Sequence, residues 1–230
     1  MKSASKMSSE ERRAAITKAV RGVFEEKGFH GTTTRELAQA AGVSEALLFK
    51  HFPNKEALYS AMMLACKPEK DQRMFERLKA LEPSTSTLVL MVHTLAAHML
   101  AQPPAGDDER AVHNRLMLHS LLEDGEFARV FLQRVGSHWV GKVEKCLQAA
   151  IAAGDAVEGA VRPSLRGWFT HHLIAMTTIH LLPTDPIVEF GLPREKLIEQ
   201  AVWFSLRGMG LKEEAIKRYY TPKTLAQLQG

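Results

Sequence analysis

Residues 28–58, GFHGTTTRELAQAAGVSEALLFKHFPNKEAL, contain three helix starts and one sharp turn in a short stretch. Thr33-x-x-Glu36 has the spacing of a capping box, in which each side chain satisfies the other residue's backbone N–H. Ala41-Gly42-Val43 is a turn, because Gly42 can take the positive φ that ends a helix without a steric penalty. Ser44 can cap the next helix by accepting a backbone N–H bond. Pro53-Asn54 stops that helix, and Asn54 can cap another. Two short helices joined by a three-residue turn, with polar residues facing outward, are a helix-turn-helix. That arrangement places its second helix in the DNA major groove. The expected partner is therefore duplex DNA, with the rest of the chain deciding when it is bound.

The flanking residues supply a core for this unit. Ser8-x-x-Glu11 opens a helix, and Ile16, Val20, Val23, Phe24 and Lys27 follow its amphipathic stripe to Gly28. Leu37, Ala38 and Ala41, then Leu48, Phe52 and Leu58, complete a small helical core. Beyond residue 60 the pattern is helical throughout. Stretches are expected over 55–66, 71–81 after a kink at Pro68, 85–101, 108–122, 126–153, 164–182, 194–209 and 212–220. Short tail helices at 222–228, a frayed arm over 1–7 and a loop over 102–106 complete the reading. No period-two alternation and no internal repeat occur. The expected fold is all-α. A helix-turn-helix domain spans 8–54, and a second helical domain spans 55–228.

Bulk properties narrow the function class. Hydrophobic content of 45% and charged content of 24% are ordinary for a soluble globular protein. The net charge is +4. Up to Ser60 there are 10 Lys and Arg against 7 Asp and Glu, so 10 − 7 = +3, and most of the excess accompanies the motif. Cys66 and Cys146 are far apart without CxxC spacing, which suits free buried thiols in a reducing cytoplasm. With no apolar leader and no 18-residue apolar run, a cytoplasmic location without membrane spans is expected.

The run Gly42-Val43-Ser44, Leu48-Phe49, Phe52, Asn54-Lys55 and Leu58, with Gly28-Phe29, Thr33, Leu37-Ala38 and Ala41 upstream, resembles the DNA-binding signature of the TetR family of bacterial repressors. The resemblance covers roughly residues 16–64. It implies an Ω-shaped homodimer with nine to ten helices per subunit, a ligand cavity in the C-terminal domain and repression relieved by a small inducer.

On the exposed face of residues 44–51, Lys50 is the leading base contact, since a lysine can donate to guanine O6 and N7; a phosphate contact would use the same charge. Ser44, Ala46 and Leu47 belong to this face; Ala46 and Leu47 can meet thymine methyls, although Leu47 could equally pack inward. Glu45 suits a helix N-terminus and could accept from cytosine N4. His51, Thr33 and Arg35 are phosphate candidates, Thr33 also serving as a cap. The resemblance makes Lys55 a phosphate contact. Phe49 stands where the family usually carries tyrosine, so one phosphate donor is lost. A two-fold dimer would read a palindromic operator with half-sites about one DNA turn apart.

Two later helices are apolar over much of their circumference. Trp168, His172 and Ile179, with Ile198, Val202, Phe204 and Ser205, are the expected dimer contacts; without the resemblance, two helices buried inside one chain would serve as well. Met91, Met117, Phe131, Trp139, Phe169 and Met176 are candidate lining for a hydrophobic or aromatic inducer, or simply core. No two histidines share i, i+3 or i, i+4 spacing and HExxH is absent, so no metal site is expected. No cofactor is implied. GxSxG, phosphate-loop and dinucleotide motifs are missing, which argues against an enzyme. The competing reading keeps the fold but replaces the inducer by a protein partner.

Overall fold

The computed structural model describes residues 7–65, 69–101, 108–123, 125–183 and 185–221. Cys66, the kink at Pro68, the 102–106 loop, the arm up to residue 6 and the tail helix at 222–228 lie outside the described residues. Among the described residues the chain is helical, with a single isolated bridge between Ala156 and Leu211 and no strand. None of these helices is long and apolar enough to cross a membrane.

The chain divides into two compact units, one of residues 1–71 and 105–131, the other of 72–104 and 132–230. The first contains α1 (Ser9–Ala19), α2 (Arg21–Lys27), α3 (Thr34–Ala40), α4 (Glu45–His51), α5 (Lys55–Ala65) and α8 (Asp108–Leu122). The division falls within α6 (Glu69–Ala80) and α9 (Glu126–Val135). It differs from a simple boundary at 54/55 because α5 and α8 both feed the N-terminal core. Leu58, Tyr59 and Met62 of α5 and Leu116 of α8 are buried with Ile16, Val20, Phe24, Leu37, Leu48 and Phe52. Phe24 meets the Tyr59 ring edge-on at 4.8 Å. The expected helix from Ser8 to Gly28 breaks at Val20, where ψ relaxes to −10°, although Val20 N–H still donates to Ile16 O at 3.1 Å.

The second unit is built around α7 (Thr85–Leu100), which is buried on most sides. Packed on it are α10 (Gly141–Ala152), α11 (Pro163–His180), α12 (Arg194–Gly208) and α13 (Glu213–Tyr219). Leu88, Val92 and Leu100 of α7 share a core with Leu147, Ile174, Val202, Leu206 and Ile216. Cys146 lies in that core as a free thiol, its pKa raised by burial. The helix expected over 126–153 contains a π-turn at Gly136–Val140, a single-turn irregularity that leaves no trace in the apolar pattern. The Arg166 guanidinium holds the segment before α11 by donating to Val161 O (2.8 Å) and Met209 O (2.8 Å).

Phe24 has no exposed surface and anchors the N-terminal core. Phe24→Ala is expected to cost about 3–5 kcal/mol, the usual penalty for emptying a buried aromatic site, measured as a loss of unfolding free energy in urea.

Candidate nucleic-acid interface

The two short helices of the motif are held at each end by local bonds. Thr33 Oγ1 accepts from Glu36 N–H at 3.3 Å, while Glu36 Oε2 accepts from Thr33 N–H at 2.9 Å, so the expected capping box forms at the start of α3. Gly42 adopts φ +64°, and Val43 N–H donates to Ala38 O (3.0 Å) and Gly42 N–H to Gln39 O (3.1 Å). This pair of bonds is a Schellman closure, which satisfies the last carbonyls of α3. Ser44 Oγ then caps α4 by accepting from Leu47 N–H at 3.2 Å, and Asn54 Oδ1 caps α5 by accepting from Ala57 N–H at 2.7 Å. Leu48 is the buried residue of α4.

The outward face of α4 carries Glu45, Ala46, Phe49 and Lys50, all exposed, with Leu47 and His51 half-buried and Ser44 exposed at the cap. Among the described residues nothing pairs with Lys50, nor with the exposed Arg35 of α3. Phe49 is 42% exposed, an apolar ring on a polar face. Leu47 sits partly packed, between the two positions the sequence left open for it.

Several expected contacts are engaged inside the protein. The Glu45 carboxylate accepts from the Thr34 hydroxyl at 2.8 Å, tying α4 to the first turn of α3. The Thr33 hydroxyl donates to Glu36 Oε2 at 2.8 Å. The Lys55 ammonium donates to Phe29 O (2.7 Å) and Thr32 O (2.9 Å) and lies 4.3 Å from the centre of the Phe29 ring. Sequence reasoning missed Arg13. Its guanidinium donates to His51 O, capping the C-terminus of α4, and lies 4.3 Å from the centre of the Phe52 ring. No local pattern signals this, because the partners are 38 residues apart.

These geometries are those of a helix-turn-helix. Residues 16–62 match the family described as bacterial regulatory proteins, tetR family. Over those residues the chain is similar to this family. A 52-residue stretch is 44% identical to the HTH-type transcriptional regulator RutR of Escherichia coli, covering 23% of this chain; the chain spans 24% of that relative's length. Over the whole fold the chain is similar to NalD, the secondary repressor of the MexAB-OprM multidrug efflux pump in Pseudomonas aeruginosa. That match has a TM-score of 0.64 at 20% identity, covering 90% of this chain and all of NalD. It is also similar to AibR, solved in complex with isovaleryl coenzyme A and operator DNA, with a TM-score of 0.59 at 19% identity over 84% of this chain and 97% of AibR. At these identities the structural likeness concerns the fold.

The six residues expected around an inducer are divided between the two units. Met117 and Phe131 pack on the N-terminal core, with the Phe131 ring 4.5 Å from that of His113. Met91 and Trp139 belong to the C-terminal core, and Phe169 and Met176 are exposed at 59% and 53%. Trp139 faces His171 at 6.2 Å, and burial pushes the His171 pKa down to about 4, so that ring is neutral near pH 7. A surface cleft of about 290 Å³ in the C-terminal unit, lined by Gln148, Ile151, Ala152, Glu158, Gly159, Pro163 and Arg166, includes none of the six.

Of the expected dimer contacts, Phe204 is 68% exposed and His172 is exposed, while Trp168, Ile179 and Ile198 are half-buried. Val202 and Ser205 are a correction: both are buried within their own unit and turned away from any outer face. Apolar character alone did not separate the inner from the outer side of α12.

Glu36 is partly exposed, and its pKa is pushed down to about 2 from 4.5, first by the hydrogen bond from Lys27 (2.6 Å) and then by the Thr33 donors. A carboxylate depressed on folding stabilises fully above its unfolded pKa and loses that contribution as pH falls through the folded one. Wild type should therefore lose this contribution between about pH 4.5 and 2, and Glu36→Gln should show a shallower fall in Tm across that window. Added salt should shrink the difference, since the pair is in water.

Proposed function

We propose that this chain is a transcriptional regulator that binds a palindromic DNA operator as a homodimer, acts as a repressor in the cytoplasm and is released by a small molecule. The observation that carries the reading is the capped helix pair α3–α4, which offers Lys50, unpaired and exposed, beside Ala46 on a helix braced at both ends. A lysine so placed can donate to guanine, and a small apolar neighbour admits a thymine methyl. The names of RutR and NalD support regulation and repression. The complex of AibR with a coenzyme A ester and operator DNA supports a small-molecule signal.

The dimer is supported by the outer surface of α11 and α12. Phe169, Leu173 and Met176 form one exposed stripe at i, i+4, i+7 spacing, and Phe204 adds an exposed ring from α12. A contiguous exposed apolar face of this kind calls for a cover, and a two-fold contact between copies supplies one.

Selection of bound sequences from a random duplex pool tests the reading. Wild type should enrich a palindrome, and Lys50→Ala should relax preference at symmetric positions, each lost base contact weakening binding by about 1–3 kcal/mol. No enrichment at about 100 mM salt, where sequence-independent phosphate binding is already weakened, would remove DNA reading as the function. Phe204→Glu is expected to convert the dimer to monomer in analytical ultracentrifugation, with an unchanged helical signal.

A further inference from the structure

Arg166 is buried in the C-terminal unit, with 6% of its surface exposed, and makes no ion pair among the described residues. An arginine carries five N–H donors. Nε donates to Val161 O at 2.8 Å, and the two N–H groups of Nη1 go to Met209 O at 2.8 Å and Val157 O at 3.2 Å. All three acceptors are neutral carbonyls. The two donors on Nη2 have no acceptor among the described residues. Burying a charge is costly unless it is paired and hydrogen-bonded, and this end of the guanidinium is neither.

A glycine leaves Nη2 uncovered. A Cβ at Gly159 would lie 2.7 Å from it, closer than Cβ atoms approach other atoms. Gly159 and Arg166 both line the cleft of about 290 Å³ in this unit. Pro163 lines it too, and is the first residue of α11, an 18-residue helix whose start has no side-chain cap. The first N–H groups of a helix are orphan donors, and the helix dipole puts partial positive charge beside them. A free guanidinium edge and an uncapped helix start therefore open on one cleft. Its apolar wall is Ile151, Ala152 and Pro163, and its other polar side chains are Gln148 and Glu158.

The geometry points to a binding site for a small organic carboxylate: its anionic end accepts from Arg166 Nη2 and the start of α11, and its short apolar body lies against Ile151, Ala152 and Pro163. Gln148 can donate its amide to the second carboxylate oxygen. Glu158 is exposed in the same lining, and its charge opposes a doubly charged phosphate more than a singly charged carboxylate. The site shares no residue with those expected around an inducer, and it rests on neither DNA binding nor a dimer.

Butyrate, its neutral analogue butyramide and inorganic phosphate are titrated into the full chain at constant ionic strength, with backbone amides followed by NMR. Butyrate should shift the amides of Gly159, Ser164 and Leu165 along one saturating curve in the millimolar range, the affinity expected of so small a ligand. Butyramide keeps the shape and loses the charge. It should bind about tenfold more weakly, the scale of one charge-assisted hydrogen bond. Phosphate should also bind more weakly than butyrate. Gly159→Ala covers Nη2, and Gln148→Glu places a like charge in the lining. Each should weaken butyrate about tenfold with an unchanged helical signal. Gln148 is exposed on α10, so its variant decides the matter even if Gly159→Ala does not fold.

Equal shifts by butyrate and butyramide would show an apolar cleft alone and overturn the site. So would butyrate binding that either folded variant leaves intact. No shift of these amides up to about 50 mM butyrate, well above a millimolar dissociation constant, would overturn it as well. Tighter binding of phosphate than of butyrate would overturn the assignment to a carboxylate.

Discussion

Two helices of seven residues cannot support themselves. An isolated helix that short is marginal in water, because nucleation costs more than a few hydrogen bonds return. The helix-turn-helix of this molecule consists of α3 and α4, each of that length. They persist because each end is capped and because Leu37 and Leu48 are withdrawn from water into a shared core with Phe24 and Phe52. A cap contributes about 1 kcal/mol and a fully buried leucine about 1.5–3 kcal/mol, so burial is the larger effect. Caps decide where the helices begin, and burial decides that they exist.

That dependence explains how charge is distributed over the N-terminal unit. Lys27 is paired with Glu36, Arg115 with Glu25, and Thr34 with Glu45, while Arg13 and Lys55 donate to backbone carbonyls. Surface ion pairs individually add little. The shared effect of these contacts is geometric, since they link α1 to α4, α2 to α3 and α8, α3 to α4, and α5 to the α2–α3 connection. Among the described residues Lys50 and Arg35 are exposed cations without a partner.

The C-terminal unit follows another logic. Its central helix α7 is enclosed by α10, α11, α12 and α13, so most of its apolar residues serve the core. Helices α11 and α12 have apolar residues on two sides. Val202 and Leu206 are buried while Phe204 is exposed, although the three lie within five residues. Phe169, Met176 and Phe204 are exposed apolar residues of this unit.

The sequence by itself determined the caps, the turn and the all-helical class. Ser44, Asn54, Gly42 and the two capping boxes act on neighbours three or four residues away, and such effects are written in local spacing. The core of the motif was legible for the same reason, since Ile16, Phe24, Leu37 and Leu48 fall on helical stripes. Only the tertiary structure decided the rest. Leu116 joins the N-terminal core from more than fifty residues beyond α5. Arg13 caps a helix 38 residues away. Lys55 hydrogen-bonds to Phe29 and Thr32, and Glu45 to Thr34, partners that a linear reading does not supply. A side chain's hydrogen bonds go to the donors and acceptors that folding brings within about 3 Å, and proximity between distant segments is a property of the packed chain that local spacing does not encode.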